Sequence, residues 1–236
     1  MTVQRKLDGS LVLCGGGLDS YVAAWDVQMS YQPASTTLLF FDYGQRAAAK
    51  EWHATRQIAR ILTSRFVTAD AIRVELDWFK QYARSALLEL GPDVTKLPVP
   101  GVAHEWTPAR NTVFMALGVS FAEAQGLSRI VTGINRTAAL AYPDNSEGWH
   151  NGWSALLQFA VDKGTELEIE SPLMFLSKTQ IVQLGEELNI PWGVDTWSCY
   201  EGGKLHCGKC SSCRARRTAF ADAKIEDFTE YEAESE

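Results

Sequence analysis

The chain has 236 residues and a formal net charge of −7, and 46% of its residues are hydrophobic. This composition excludes a disordered chain, and the length suits one large domain or a domain with a small appendage. The acidic balance argues against a protein that grips a long nucleic acid. With no long apolar run and no signal peptide in the sequence, we expect a cytoplasmic protein without a transmembrane helix.

The stretch from Leu11 to Ser20 predicts a short buried strand, a turn of three glycines and the first turn of a helix. Glycines let the backbone approach a ligand, and a helix N-terminus adds partial positive charge, so such a turn is typical of a phosphate or pyrophosphate cradle. A plain strand-to-helix turn is the alternative. The pattern lacks the lysine of a P-loop and is not the dinucleotide fingerprint. Cys14, just before the glycines, is expected to be buried.

Residues 36–43 predict a second strand, with one helix over 20–30 between it and the first. This order predicts a parallel βαβ unit, whose ligands collect beyond the carboxyl ends of the strands. The glycine turn and residues 42–46 would therefore share one mouth of the sheet. There Asp42 could bind a ribose hydroxyl or a metal, and Gln45 and Arg46 could reach phosphate, whereas solvated loop residues are the alternative.

Further along the chain, a long proline-rich loop over 91–108 is expected to be functional. Arg110 then opens a helix and could hold a phosphate, with a plain surface arginine as the alternative. Ser177 is the expected N-cap of a later helix. Lys178 lies in the first turn of that helix, where the dipole disfavours a cation, so we expect an anionic ligand nearby. The other predicted elements are helices over 47–63, 112–125 and 177–188, strands over 66–76 and 128–133, a turn over 141–145 and an extended segment over 169–173.

Four of the five cysteines lie near the C-terminus with the spacing C-x7-C-x2-C-x2-C. Four thiolates at such spacings suit a tetrahedral zinc ion, and an iron–sulfur cluster is the alternative. Four cysteines would fill all four positions around the metal and leave none for a substrate, so we expect the site to support folding rather than catalysis. The expected ligands are Cys199, Cys207, Cys210 and Cys213.

Several motifs together resemble the 7-cyano-7-deazaguanine synthase (QueC) family of PP-loop ATP-pyrophosphatases. They are Gly-Gly-Gly-Leu-Asp-Ser at 15–20, Phe-Asp-Tyr-Gly-Gln-Arg at 41–46 with Glu51 downstream, Pro-Ala-Arg-Asn-Thr-Val-Phe at 108–114, Tyr-Pro-Asp at 142–144, Pro-Leu-Met at 172–174 and the cysteine segment. The resemblance implies an α/β fold with a doubly wound, mostly parallel sheet of the adenine nucleotide alpha-hydrolase-like, Rossmann type. It implies a PP-loop domain over 1–195 and a zinc-binding helical segment over 196–236 packed on it.

The resemblance also implies a reaction. Members of the family activate the carboxylate of 7-carboxy-7-deazaguanine with ATP, let ammonia form the amide, and use a second ATP to make the nitrile. The implied partners are ATP with Mg²⁺, one structural zinc per chain and a second copy in a homodimer. The implied catalytic residues are Asp19, Ser20, Arg110 and Lys178, and the implied substrate-binding residues are Tyr142 and Asp144. The implied ATP-binding residues are Cys14, Gly15, Gly16, Gly17, Leu18, Asp19, Ser20, Asp42, Gln45, Arg46, Arg110 and Lys178.

The chain departs from the family pattern around this site, with Gly15 for serine, Ala109 for glycine, Asn145 for cysteine, and 135–137 for acidic residues. Losing the serine hydroxyl leads us to expect amide formation with slow or absent conversion to nitrile. One alternative is a diverged antiphage-defence homologue, from a CBASS-type operon, that joins the activated base to a protein amine, with loop 91–108 and Arg136 admitting the partner. A lesser alternative is a PP-loop enzyme acting on tRNA.

Overall fold

The computed structural model describes residues 9–66, 68–83, 85–88 and 105–233. In chain order its elements are β1 (Gly9–Leu13), α1 (Leu18–Tyr31), β2 (Ser35–Asp42), α2 (Ala48–Arg65), β3 (Ala69–Glu75), α3 (Asp77–Tyr82), α4 (Arg110–Gln125), β4 (Arg129–Val131), α5 (Arg136–Ala139), a 3-10 turn (Pro143–Asn145), α6 (Glu147–Ala160), β5 (Glu168–Glu170), α7 (Lys178–Glu187) and α8 (Ser211–Ala223). Among the residues described, no helix is both long and apolar enough to span a membrane.

The five strands form one parallel sheet in the order β3-β2-β1-β4-β5. The chain builds outward from β1 through β2 to β3, then returns to the other side of β1 for β4 and β5. This reversal makes the gap between β1 and β4 a topological switch point. In open parallel sheets, ligands bind beyond the carboxyl ends of the strands at such a point.

Alternate residues of the central strands face opposite sides of the sheet, and both sides are covered by helices. Val12 and Leu38 are paired in register and belong to a buried cluster that also contains side chains of α1, α2, α7 and α8. Leu11 and Leu39 belong to a second cluster with side chains of α4 and α6. The near-continuous burial of β1 and β2 follows, because each strand is packed on both faces. The doubly wound α/β prediction is confirmed.

Most of the predicted elements are present, with shifted ends. The third strand begins at Ala69, three residues later than predicted, and α4 begins at Arg110, two residues earlier. Helices α3 and α5 are too short for a periodic apolar pattern and were not predicted. Of the predicted loop over 91–108, positions 91–104 lie outside the described residues.

The C-terminal segment packs against the sheet domain, as Phe220, Trp197 and the cysteine cluster show. Phe220 of α8 lies in the same buried cluster as the β1 and α1 side chains. The Trp197 N–H donates to the Gly16 carbonyl oxygen over 2.8 Å, which ties the segment directly to the glycine turn. The boundary at 195/196 stays a prediction. The buried cluster that contains the four cysteines also includes Ala47, Ala54 and Ala86 of the sheet domain, so the segment shares its core with that domain.

Candidate active site

The glycine turn between β1 and α1 is held in place by its middle glycine. Gly16 has a φ of +72°, and a Cβ there would lie 2.4 Å from the Glu51 carbonyl oxygen, so only glycine fits. Gly15 and Gly17 lie on the wall of a cavity instead. A Cβ on Gly15 would meet no atom within 4 Å. The turn thus combines one structural glycine with two that leave the backbone accessible.

Asp19, in the first turn of α1, is the carboxylate that this turn presents. Its Oδ2 accepts from Lys178 Nζ over 2.5 Å. Its Oδ1 is buried and has no hydrogen-bond partner among the described residues. A buried carboxylate oxygen without a partner is costly, so this oxygen indicates a ligand. The anion expected near Lys178 is, in this structure, Asp19.

Lys178 is positioned by the start of α7. Ser177 is the N-cap and forms a capping box with Gln180, in which each side chain bonds the other residue's backbone N–H. The predicted cap is therefore confirmed. The capping box fixes the first turn of α7 and with it the direction of the lysine side chain.

Cys14 and Ser20 lie behind the turn. The Ser20 hydroxyl donates to the Gly17 carbonyl oxygen over 3.1 Å, and the Cys14 thiol lies 3.5 Å from the Ser20 hydroxyl. Burial raises the pKa of the Cys14 thiol, against the weaker opposing effect of its hydrogen bonds. Cys14 is thus buried, as predicted, and its thiol is protonated. It also contributes to the cavity wall.

Asp42, at the end of β2, does not line the cavity. Its Oδ1 accepts from the Gly44 N–H over 3.0 Å, and its Oδ2 accepts from Arg73 over 2.5 Å. Both carboxylate oxygens are therefore engaged within the chain. Asp42 therefore shapes the turn after β2, and its binding of ribose or metal stays a prediction.

Gln45 and Arg46, which follow, have different surroundings. Arg46 lies outside the cavity lining, and its Nε donates to the carbonyl oxygens of Ala86 and Leu88. Gln45 is buried on the cavity wall, and its Nε2 donates to Glu51 Oε2 over 2.8 Å. Gln45 therefore orients a carboxylate within the cavity.

That carboxylate belongs to Glu51 of α2. Glu51 lies downstream of the motif at 41–46 and was not predicted as a site residue. Burial raises the pKa of Glu51 to about 7, although the Gln45 hydrogen bond and the Arg110 charge oppose this. The group can therefore exchange a proton near neutral pH, which is a property of acid–base groups in active sites.

Arg110 joins the cavity from the start of α4. Its Nη1 donates to the Tyr43 hydroxyl over 2.9 Å, and its guanidinium carbon lies 5.5 Å from the centre of the Tyr43 ring. The residue before it, Ala109, has a φ of +51°, which is the left-handed conformation. Glycine adopts this conformation without strain, which explains the glycine of the family pattern at this position. Ala109, which replaces it here, is strained.

Asp144 and Tyr142 differ in where they lie. Asp144 Oδ2 accepts from the Asn111 backbone N–H, and its carbonyl oxygen accepts from the Asn111 side chain, both over 3.2 Å. Asp144 thereby caps α4 and is absent from the cavity lining. Tyr142 lines the cavity and stacks on Trp106 with ring centres 6.1 Å apart. Burial raises its pKa to about 12, so the hydroxyl stays protonated.

The cavity has a volume of about 500 Å³ and lies at the switch point. Of the predicted site residues, it brings together Cys14, Gly15, Gly17, Leu18, Asp19, Ser20, Gln45, Arg110, Tyr142 and Lys178. It does not include Gly16, Asp42, Arg46 or Asp144.

Several wall residues were missed by the sequence analysis. Asn135 lines the cavity and caps α5 by accepting from the Ala138 N–H over 3.0 Å. An aspartate could form the same cap, so nothing in the structure explains the neutral residue at this position. An asparagine before a short alanine-rich run is itself a helix-start signal. The C-terminal segment supplies Trp197, Ser198, Tyr200, Ser211, Ser212 and Ala215. The segment therefore forms part of the site wall in addition to carrying the four cysteines.

The four C-terminal cysteines are all buried, and their sulfur atoms lie within 4.8 Å of one another. Backbone N–H groups donate to three of these sulfurs over 3.3–3.4 Å, which are Cys199, Cys207 and Cys210. A tetrahedral zinc ion with bonds of about 2.3 Å holds its sulfurs about 3.8 Å apart. The cluster fits a metal ion of this kind.

The family model described as "Queuosine biosynthesis protein QueC" matches residues 9–224. A 7-cyano-7-deazaguanine synthase of Acidobacterium capsulatum is 34% identical, over 96% of this chain and 97% of the relative. One of Methanothermobacter thermautotrophicus is also 34% identical, over 94% and 98%. One of Sulfolobus acidocaldarius is 40% identical over 94% of this chain, which spans only 48% of that longer relative.

Proposed function

Because this chain belongs to the QueC family, we propose that it uses ATP to activate the carboxylate of 7-carboxy-7-deazaguanine and joins the activated carbonyl to a nitrogen nucleophile. The observation that supports it most directly is the Asp19 carboxylate beside the glycine turn. One of its oxygens bonds Lys178, and the other is buried without a partner among the described residues. A homodimer belongs to the same proposal and is testable by light scattering.

The chemistry starts from a poor electrophile. A carboxylate resists attack by nitrogen until one of its oxygens becomes part of a good leaving group, AMP. The exposed backbone of Gly15 and Gly17 and the start of α1 would hold the phosphates of ATP. Lys178 and Arg110 would neutralise charge on the departing pyrophosphate, and fixed alignment of the two reactants would supply much of the rate.

Mg²⁺ bound with ATP would disperse further negative charge on the phosphates. The free Oδ1 of Asp19 is the oxygen ligand that this chain offers for it. In the absence of ligand, the Lys178 ammonium bonds the other oxygen, Oδ2. The carboxylate is thereby held in place, and Oδ1 stays available to a ligand.

The direct test is mass spectrometry of the products formed from ATP, Mg²⁺, 7-carboxy-7-deazaguanine and ammonia. We expect AMP, pyrophosphate and the amide in equal amounts, with the nitrile forming slowly or not at all. Rapid, stoichiometric nitrile formation would show that the substitutions are tolerated. Absence of both AMP and amide would reject the proposal.

The slow step is expected because Gly15 replaces the family serine. Restoring it as Gly15→Ser meets no steric obstacle, since no atom lies within 4 Å of the Cβ position. One oriented donor in such a site is worth on the order of 3 kcal/mol, or roughly a hundredfold in rate. We expect this variant to accelerate nitrile formation while amide formation stays within about threefold. An unchanged nitrile rate would remove the serine from the explanation.

We propose that the cysteine cluster holds one structural zinc ion. Elemental analysis should find one zinc per chain, and Cys210→Ser should release it and destabilise the C-terminal segment, because structural zinc contributes directly to folding. Cys14→Ser is the matched control, since Cys14 is also buried but lies outside the cluster, and it should keep its zinc. Iron in place of zinc, or no metal, would reject this assignment.

A further inference from the structure

Three polar side chains outside the predicted site form a continuous hydrogen-bonded chain that starts at the cavity wall. Thr132 directly follows β4, is 4% exposed and lines the cavity. Its hydroxyl oxygen lies 2.8 Å from the Ser171 hydroxyl oxygen, which in turn lies 2.9 Å from Nδ1 of His150 on α6. The three residues come from three different parts of the fold and meet only in the folded chain.

The first member of this chain lies next to the Asp19 turn. The residue after Thr132 is Gly133, and a Cβ there would lie 3.0 Å from the Ser20 nitrogen and 3.3 Å from the Asp19 Cβ. The β4 end therefore contacts the start of α1 directly. Thr132 and the glycine turn therefore line the same cavity.

The last member of the chain is suited to accept a proton. His150 is half-buried, and burial lowers the pKa of its imidazole, against the opposing charges of Glu170 on β5 and Glu147 on α6. The ring is therefore neutral at neutral pH, with one nitrogen free to accept. Because His150 is only partly buried, a proton that it receives can pass on to water.

We propose that Thr132, Ser171 and His150 carry away the proton that is released when the nitrogen nucleophile attacks the activated carboxylate. This inference rests on the proposed function. The nitrogen lone pair forms the C–N bond, and the C–O bond to AMP breaks with its electron pair leaving on AMP. The nitrogen then loses one proton to the Thr132 oxygen, while the Thr132 proton moves to Ser171 and the Ser171 proton moves to Nδ1 of His150.

A relay of this kind acts on only one of the two chemical steps. Adenylation starts from a carboxylate that has no proton to lose, so ATP–pyrophosphate exchange does not require the chain. Formation of the amide requires removal of a proton and does require it. A purely structural role for the three side chains would affect both steps together, through folding or through the shape of the cavity.

The test measures ATP–pyrophosphate exchange and amide formation separately, with 7-carboxy-7-deazaguanine and ammonia as substrates. Ser171→Ala removes the middle of the chain and should slow amide formation on the order of a hundredfold, while exchange stays within about twofold of the parent. Ser171→Thr keeps a hydroxyl and should restore most of the amide rate. Ser154→Ala is the matched control, because among the described residues that exposed hydroxyl bonds only the His150 carbonyl oxygen.

The pH profile adds a second readout. At a constant concentration of free ammonia, the parent amide rate should fall at low pH as His150 becomes protonated, and His150→Gln should be slower with this fall removed. Equal loss of exchange and amide formation in Ser171→Ala would overturn the relay in favour of a structural role, and so would no loss in either. A parent protein that performs neither step would instead reject the proposed function, so the two failures are distinguishable.

Discussion

The ends of β1 and β2 lie side by side in the sheet, and each presents an aspartate, yet the two aspartates differ. Beyond β1, Asp19 bonds Lys178 through one oxygen and leaves the other buried without a partner among the described residues. At the end of β2, Asp42 has both oxygens engaged, by Gly44 and Arg73. A carboxylate at the mouth of a sheet is available to a ligand only where the fold leaves part of its bonding capacity unused.

The position in the sheet explains the difference. β2 lies between β1 and β3, so β3 brings Arg73, which pairs in register with Phe40, within reach of the Asp42 carboxylate. Beyond β1 the strand order reverses to β4, and the space outside the ends of these two strands is the cavity. The site thus lies where the topology leaves space.

The largest expected effect is that of a substitution at Asp19, the aspartate with an unpartnered oxygen. Asp19→Asn keeps the shape of the side chain but removes its charge. We expect AMP formation to fall at least about a hundredfold, because the site loses a charge that holds the ATP-bound cation and orients Lys178. The melting temperature of the ligand-free protein should change little, since the unpartnered oxygen becomes cheaper to bury. AMP formation at the parent rate would place the active site elsewhere.

Glu51, in the same cavity, gives a second effect that depends on pH. Its pKa is raised by burial to about 7 from 4.5, so its contribution to stability is complete below pH 4.5 and is lost as the pH rises through 7. Glu51→Gln cannot ionise and retains an oxygen that accepts from Gln45. We expect the variant to have a free energy of unfolding about 1–3 kcal/mol higher than the parent at pH 8, and no advantage at pH 4.5.

Urea denaturation at the two pH values measures this difference. Glu187→Gln is the control, because Glu187 is exposed on α7, and its difference from the parent should not depend on pH. A Glu51→Gln variant with no pH-dependent gain would show that the carboxylate is hydrated rather than buried in the cavity.

Sequence patterns predicted the elements and one half of the site for a clear reason. The glycine turn, Asp19 and the cap at Ser177 are local features, in which neighbours in sequence are neighbours in space. The closure of Asp42 by Arg73 and the capping of α4 by Asp144 join residues 31 and 33 positions apart. No local pattern records such pairs, so the sequence could not show that Asp42 and Asp144 are engaged within the chain, and their binding of ligands stays a prediction.

Asp42→Asn tests the other aspartate of the comparison, whose carboxylate oxygens are both engaged within the chain. The variant loses the charge that pairs with Arg73, a partly exposed residue, so we expect a loss of about 1–2 kcal/mol in the free energy of unfolding. AMP formation per folded molecule should stay within about twofold of the parent. Urea denaturation and the AMP assay measure the two quantities. A loss of AMP formation as large as that of Asp19→Asn would show that Asp42 contacts a ligand after all.

The smallest expected effect concerns the residue that aims Arg110 at the Tyr43 hydroxyl, between the two strand ends. Ala109 holds a left-handed backbone with φ of +51°, which costs an alanine about 1–2 kcal/mol. Ala109→Gly removes this strain but makes the unfolded chain more flexible, so we expect a net gain of about 1 kcal/mol or less in the free energy of unfolding.

Gly126, at the other end of α4, is the matched control. It has a φ of +66° with no atom near its Cβ position, so Gly126→Ala should lose a similar amount of stability by the same mechanism. Opposite shifts in the urea midpoint would confirm that backbone conformation alone is responsible. If Ala109→Gly instead destabilises the protein, the alanine methyl group contributes packing that outweighs the strain.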